Sequence, residues 1–223
     1  MYSIIRFNIK HYFYLFFSED VDFWKNFPHG DGTYNVLRAN YRGGANDKTR
    51  FQHLVIDHFF QTFMNKMQDV YEKKQNGDPI LVITERSLKT NVDIFIRKEV
   101  ETGNLESIDG DLLAWKSETF HNIILKHFKM EALYVYLKSS PENCLERIQT
   151  RGRVEESGID LQQLSHLHMR HELLYHHLDA ENHKVLILNT DHFLLPNQKT
   201  VDVDRLIEEI LKFAKHNSRY TWT

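Results

Sequence analysis

The sequence predicts an α/β fold: a parallel sheet covered on both faces by helices. Two observations predict it. Four short apolar runs, Tyr12–Phe17, Ile80–Thr84, Ala132–Leu137 and Lys184–Leu188, have the length and residue types of strands buried on both faces. Each is followed by polar or turn residues and then by apolar residues at helical spacing, the alternation that builds parallel sheets.

The elements follow in chain order. Tyr12–Phe17 is the first strand and ends in Ser18-Glu19-Asp20. From Thr49 to Lys73, Phe51, Leu54, Val55, Phe59, Phe63, Met67 and Val70 form one stripe of a long helix. The strand Ile80–Thr84 ends in Glu85-Arg86-Ser87, and helices are expected over 91–101 and 112–128. After the third strand, Ser140-Pro141-Glu142 has the form of a helix start, with serine as cap and proline at the first helical position. Further helices are expected over 160–179 and 203–216, and the fourth strand ends in Asn189-Thr190-Asp191.

Composition narrows the function. The chain has 223 residues, read as one domain over 1–223, with 41% hydrophobic and 26% charged residues and a net charge of −3. That charge predicts no nucleic-acid surface. No run is apolar enough to predict a membrane span or a secretory signal. The single cysteine, Cys144, excludes an internal disulfide and suits a reducing compartment. The expected location is cytoplasmic, with mitochondria as the alternative. Of the fourteen histidines, His166, His168 and His171 share one helix, but only His168 and His171 fall on one face, and packing is the expected role.

The densest chemistry lies in Arg147-Ile-Gln-Thr-Arg151-Gly152-Arg153-Val-Glu155-Glu156. Guanidinium forks fit phosphate oxygens in a planar, two-toothed way. Arg147 and Arg151 share a helical face, and Gly152 lets the chain turn so that Arg153 joins them on one anion. On the residues alone, a solvated helix end with Glu155 and Glu156 as ion-pair partners fits equally well. At the strand ends, carboxylates such as Glu19, Glu85 and Asp191 are either reactive groups at the rim of the core or helix caps.

Taken together these segments resemble the deoxynucleoside kinase family, of the deoxycytidine, deoxyguanosine and mitochondrial thymidine kinase type. Glu19 with Trp24, Phe51-Gln52, Glu85-Arg86-Ser87, the run from Ser140-Pro141 through the arginine hinge, and Leu167-His168-x-x-His171-Glu172 carry the resemblance. It implies a three-layer, P-loop-kinase-like fold and phosphoryl transfer from ATP, with Mg²⁺, to the 5'-hydroxyl of a deoxynucleoside in nucleotide salvage. By this resemblance Glu19 is the general base and Arg86 holds that base and the 5'-oxygen. Glu85 is the acidic magnesium ligand, and Asp191 lies on the side of the bound nucleotide. Gln52 reads the base edge, while Trp24, Phe51 and Phe95 wall the base. Tyr41 and Glu156 bond the 3'-hydroxyl. Arg147, Arg151 and Arg153 form the lid over the donor, where arginines are worth about 10³ to 10⁵ in rate. Asn91 and Phe59 lie where the base is selected, and a bulky Phe59 favours pyrimidines. A homodimer through the long helices is expected.

One departure stands out. The family's phosphate-cradling Gly-x-x-x-x-Gly-Lys-Ser/Thr loop has no counterpart, because the sequence holds no Gly-Lys pair and its first glycine is Gly30. The expectation is therefore a truncated first strand and phosphate loop, with Ser3–Ile9 as a remnant and activity of the chain in doubt. Two other readings stay open: a nucleoside-binding or structural relative that does not catalyse, and a nucleoside monophosphate kinase, which shares lid arginines.

Overall fold

A computed structural model describes residues 13–17, 20–73, 80–191 and 201–217. It contains two compact units, Met1–His127 and Phe128–Thr223. Both are built from parallel strands and helices, the predicted α/β class.

In the first unit, β1 (Phe13–Phe17) pairs in parallel with β4 (Ile80–Thr84), Phe17 lying opposite Thr84. The carboxyl ends of the two strands therefore share one edge, where ligands of parallel sheets bind. Three elements between them were not foreseen: α1 (Val21–Lys25), the hairpin of β2 (Phe27–His29) and β3 (Gly32–Tyr34), and α2 (Val36–Arg42). Tyr41 stands on α2. The long helix α3 (Ala45–Lys73) starts four residues earlier than its apolar stripe, because polar residues at the first turn add no periodic signal.

Leu88–Thr90 (α4) opens the next helical segment, capped by a reciprocal box in which Ser87 Oγ accepts from Thr90 N and Thr90 Oγ1 accepts from Ser87 N. The segment widens into a π-helical turn over Asn91–Ile96 and returns to α5 (Arg97–Glu101). Helix α6 (Ser107–His127) packs against α3, α4, α5 and the π turn. A Cβ at Gly110 would sit 2.5 Å from Val100 Cγ2, so glycine permits that close approach. The core of this unit includes Trp24, Leu37, Phe51, Ile56, Phe63, Met67, Leu88, Ile94, Ile96 and Leu113, all buried.

In the second unit, β5 (Tyr134–Lys138) and β6 (Val185–Asn189) pair in parallel. Helices α7 (Pro141–Arg151), α8 (Leu161–Ala180) and α9 (Val201–Asn217) complete it. The foreseen cap occurs, Ser140 accepting from Asn143 N, and Asp160, expected only as the start of a helix, also caps by accepting from Gln163 N. Tyr136 is sandwiched between His171, at 5.5 Å, and Tyr175, at 4.5 Å between ring centroids, which seats α8 on β5. His171 Nδ1 lies 2.8 Å from the Leu167 carbonyl, and among the described residues no cluster of three metal-ligating side chains occurs. No helix among the described residues is long and apolar enough to cross a membrane.

The fully buried Ser117 donates from α6 to the Leu88 carbonyl at 2.9 Å, fixing the start of the segment that carries Asn91 and Phe95. Ser117→Ala is expected to destabilise the protein by about 1 kcal/mol, the net worth of one such bond, measured by urea unfolding.

Candidate active site

The residues expected on the acceptor side are set out along the first unit. Glu19 lies outside the described residues. Its neighbour Asp20 caps α1, accepting from Phe23 N at 3.0 Å, and α1 in turn presents Trp24. Trp24 is buried and meets the Phe51 ring edge-on at 5.7 Å. Both belong to a hydrophobic cluster with Val36 and Leu37, so these two rings are core and wall at once. His58, two turns along α3 from Phe51, stacks on Phe23 at 4.3 Å and lies edge-on to Trp24 at 4.9 Å. Its part in this wall was not foreseen, although the i to i+7 spacing from Phe51 was legible. Burial pulls the His58 imidazole below the ordinary histidine value, against an opposing pull from Asp20.

Gln52, beside Phe51, is 5% exposed, and Asn91, at the head of the π turn, is 4% exposed. Besides Glu99 Oε2, three polar atoms in this unit are buried with no hydrogen-bond partner in the protein: Trp24 Nε1, Gln52 Oε1 and Asn91 Nδ2. Leaving such a group unmatched costs about 1–3 kcal/mol. Three at once, all on residues singled out for base contact, mark polar atoms held for something other than protein. π turns of this kind are frequent at functional sites.

Arg86 follows Glu85 directly after β4. Its guanidinium carbon lies 4.5 Å from the centroid of the Phe95 ring, within cation–π range. Glu85 is exposed at the strand end. Tyr41 is 41% exposed on α2, which packs against α3.

The residues expected on the donor side lie in the second unit. Helix α7 ends at Gly152, whose φ of 65° is left-handed and suits glycine. The chain then turns through Arg153 into a single 3₁₀ turn, Val154–Glu156. The expected meeting of three arginines on one anion is only partly seen. Arg151 Nη2 lies 2.6 Å from Glu156 Oε2, and Arg153 Nη1 lies 3.2 Å from Glu156 Oε1. Arg147 turns elsewhere, donating from Nη2 to the Thr190 carbonyl at 2.5 Å. The ion pairing of Glu156 was legible in the motif, but its burial was not, since a solvated helix end was the expectation; nor was the reach of Arg147 to the residue after β6, which joins residues 43 apart.

Asp191 is a clasp. Its Oδ1 accepts from Ser139 Oγ at 2.9 Å, Ser140 N at 2.7 Å and Asn143 Nδ2 at 2.9 Å, tying the end of β6 to the start of α7. The backbone N–H of Ser140 is the first cause holding this carboxyl well below the ordinary aspartate range, followed by Asn143 and Ser139.

Comparison with known proteins settles the family. Residues 6–215 match the family model for deoxynucleoside kinases. The chain belongs to the deoxynucleoside kinase family. It is 28% identical to deoxycytidine kinase 2 of Gallus gallus over 218 residues, covering 87% of this chain and 78% of that protein. It is 30% identical to the mitochondrial deoxyguanosine kinase of Xenopus laevis, over 51% of this chain and 44% of that one. It is 32% identical to mitochondrial thymidine kinase 2 of Homo sapiens, over 50% of this chain and 42% of the relative. The last two matches thus span less than half of each relative. Kinases of this family are phosphotransferases, and membership implies a nucleoside triphosphate donor and a nucleoside acceptor.

The Asp191 clasp makes a pH prediction. A carboxyl with a depressed value in the folded kinase binds fewer protons than in the unfolded chain, so stability falls as pH falls. Its contribution is complete at neutral pH and fades as pH drops below the ordinary value of 3.8. Thermal unfolding followed from pH 6 to pH 3 is expected to show a smaller acid loss in Asp191→Asn than in the parent.

Proposed function

We propose that the chain is a deoxynucleoside 5'-kinase, transferring a phosphoryl group from ATP to a pyrimidine deoxynucleoside in nucleotide salvage. The observation that carries this reading is the trio of buried, unmatched polar atoms on Trp24, Gln52 and Asn91. A nucleobase offers the donors and acceptors they lack, and apolar rings around them exclude competing water. Phe59, stacked on Phe63 at 6.1 Å, favours a single-ring base.

The residues divide the work. Glu19 takes the proton of the 5'-hydroxyl as that oxygen attacks the phosphorus. Arg86 holds the attacking oxygen and the base, and its position against Phe95 keeps the guanidinium plane parked beside the nucleoside. Tyr41 and Glu156 receive and position the 3'-hydroxyl. Arg147, Arg151 and Arg153 serve the donor side, with Arg147 bracing the lid against Thr190 while the other two meet phosphate oxygens. Asp191 supports that side by fixing the first turn of α7.

Magnesium needs few protein ligands, one or two carboxylates beside the phosphates and water. Exposed Glu85, at the carboxyl end of β4, fits that requirement and is the residue that would hold it. The ion supplies neutralisation of phosphate charge during transfer.

A second reading is favoured by one observation, the lack of any Gly-Lys pair in the sequence. In that reading the chain binds nucleosides, or serves as a structural subunit, without turnover. A transfer assay with thymidine and deoxycytidine separates the two. The kinase reading expects turnover, with kcat reduced by about 10² to 10⁴ in Glu19→Gln, the usual worth of a general base. Nucleoside binding with no turnover in the parent supports the second reading.

A homodimer through the long helices is part of the proposal. Ile108, Leu112, Trp115 and Ile123 lie along one face of α6 and are 59%, 53%, 69% and 41% exposed. An exposed apolar helix face of that kind, interrupted at Thr119, marks an interaction surface. Trp115→Glu is expected to convert a dimer to a monomer in light scattering, and an unchanged mass would remove α6 from the interface. Cytoplasm is the proposed compartment. Mitochondria are the alternative, because two relatives carry that word in their names.

A further inference from the structure

The carboxylate of Glu156 is 5% exposed, yet both its oxygens are occupied, one by each of two arginines. Arg151 and Arg153 themselves remain 46% and 28% exposed. A carboxylate that offers two oxygens to two guanidinium forks presents what a phosphate presents. The exposed faces of the arginines leave an approach for an outside anion.

We propose that Glu156 is an internal stand-in for the donor's phosphates, holding Arg151 and Arg153 until a polyphosphate displaces it. The inference rests on the donor-side role of the two arginines given above.

The local chain is built for such an exchange. Glu156 sits on one 3₁₀ turn of three residues, closed by the bond from Glu156 N to the Arg153 carbonyl at 3.0 Å. A single turn has little helical cooperativity to lose when it shifts. Gly152, in the left-handed region, sets the direction of the turn without a side chain. Arg147 contrasts with its two neighbours. It is bonded to a neutral carbonyl and so holds the lid's base steady while the charged pair trades partners.

Charge sets the direction of the effect. Two guanidiniums and one carboxylate leave a single net positive charge, whereas the guanidiniums alone carry two. An incoming polyphosphate therefore meets a weakened field and must displace one anion. A free phosphate of low charge competes poorly with a carboxylate already in place, and a triphosphate with several charges competes well.

The test measures binding of inorganic tripolyphosphate to the full chain by titration calorimetry. Glu156→Gln keeps the shape and removes the charge. It is expected to bind tripolyphosphate about tenfold more tightly, the scale of one charge-assisted hydrogen bond, with a steeper loss on adding salt. A purely structural role for Glu156 predicts lower stability and equal or weaker affinity, and that result overturns the proposal. Absence of binding in both proteins overturns it as well. A second measurement uses the parent chain alone and needs no variant to fold. Carbodiimide labelling of Glu156, read by mass spectrometry, is expected to rise several-fold when tripolyphosphate is added. Unchanged labelling with tripolyphosphate bound overturns the proposal. Both readouts are independent of turnover. A parent that shows them without phosphorylating nucleosides defeats the kinase reading alone, and a parent that phosphorylates without them defeats the stand-in alone.

Discussion

A strand that ends in a parallel pair must hand its chain to a helix, and the first turn of that helix brings amide groups that need acceptors. Every handover described in this protein is met by a short polar side chain. Asp20 caps α1, Ser87 caps α4, and Ser140 caps α7 with Asp191 reaching across to support it. The caps fix where each strand stops and in which direction the next helix leaves. Candidate site residues stand beside them, Glu85 and Arg86 before Ser87 and Asp191 at the start of α7. The candidate site is placed by the same few bonds that solve the backbone's problem at the edge of the sheet.

That constraint also explains what was legible in the sequence. Strands of a parallel sheet are apolar throughout, so the runs at 80–84, 132–137 and 184–188 were visible without alternation, and their observed bounds differ by two residues at most. Ser140-Pro141 announced a helix start because capping chemistry is local. The hairpin Phe27–Tyr34 and helix α2 left no such trace. They are short, and packing of Val36, Leu37 and Phe51 around Trp24 holds them rather than intrinsic preference. The widening of the helix at Asn91–Ile96 was invisible for a similar reason, since π geometry is set by how the segment meets α6 and not by its own residue types.

The site was legible to different depths on its two sides. Spacing alone placed Arg151 and Arg153 about a turn, and it named Glu156 as a partner. It did not distinguish an arginine that reaches a backbone carbonyl from one that reaches a carboxylate. Arg147 and Arg151 are four residues apart on one helix, yet they end on different partners because Thr190 stands over only one of them. Likewise Asp191 reads as a ligand-side acid from its position at a strand end, while its Oδ1 is already occupied by three donors.

Two sets of polar groups described above are treated differently, and the difference has a physical logic. In the first, amide and indole groups on Gln52, Asn91 and Trp24 are buried and left unmatched. Neutral groups can be kept waiting, because the cost of each is a few kcal/mol at most. In the second, Arg151 and Arg153 each meet an oxygen of the buried Glu156 carboxylate. An ionised group held without a partner costs far more than a neutral one when it is desolvated. A protein that carries both kinds of group therefore has different options for each: neutral amides can stand unmatched, whereas guanidiniums are better kept partly discharged by a carboxylate.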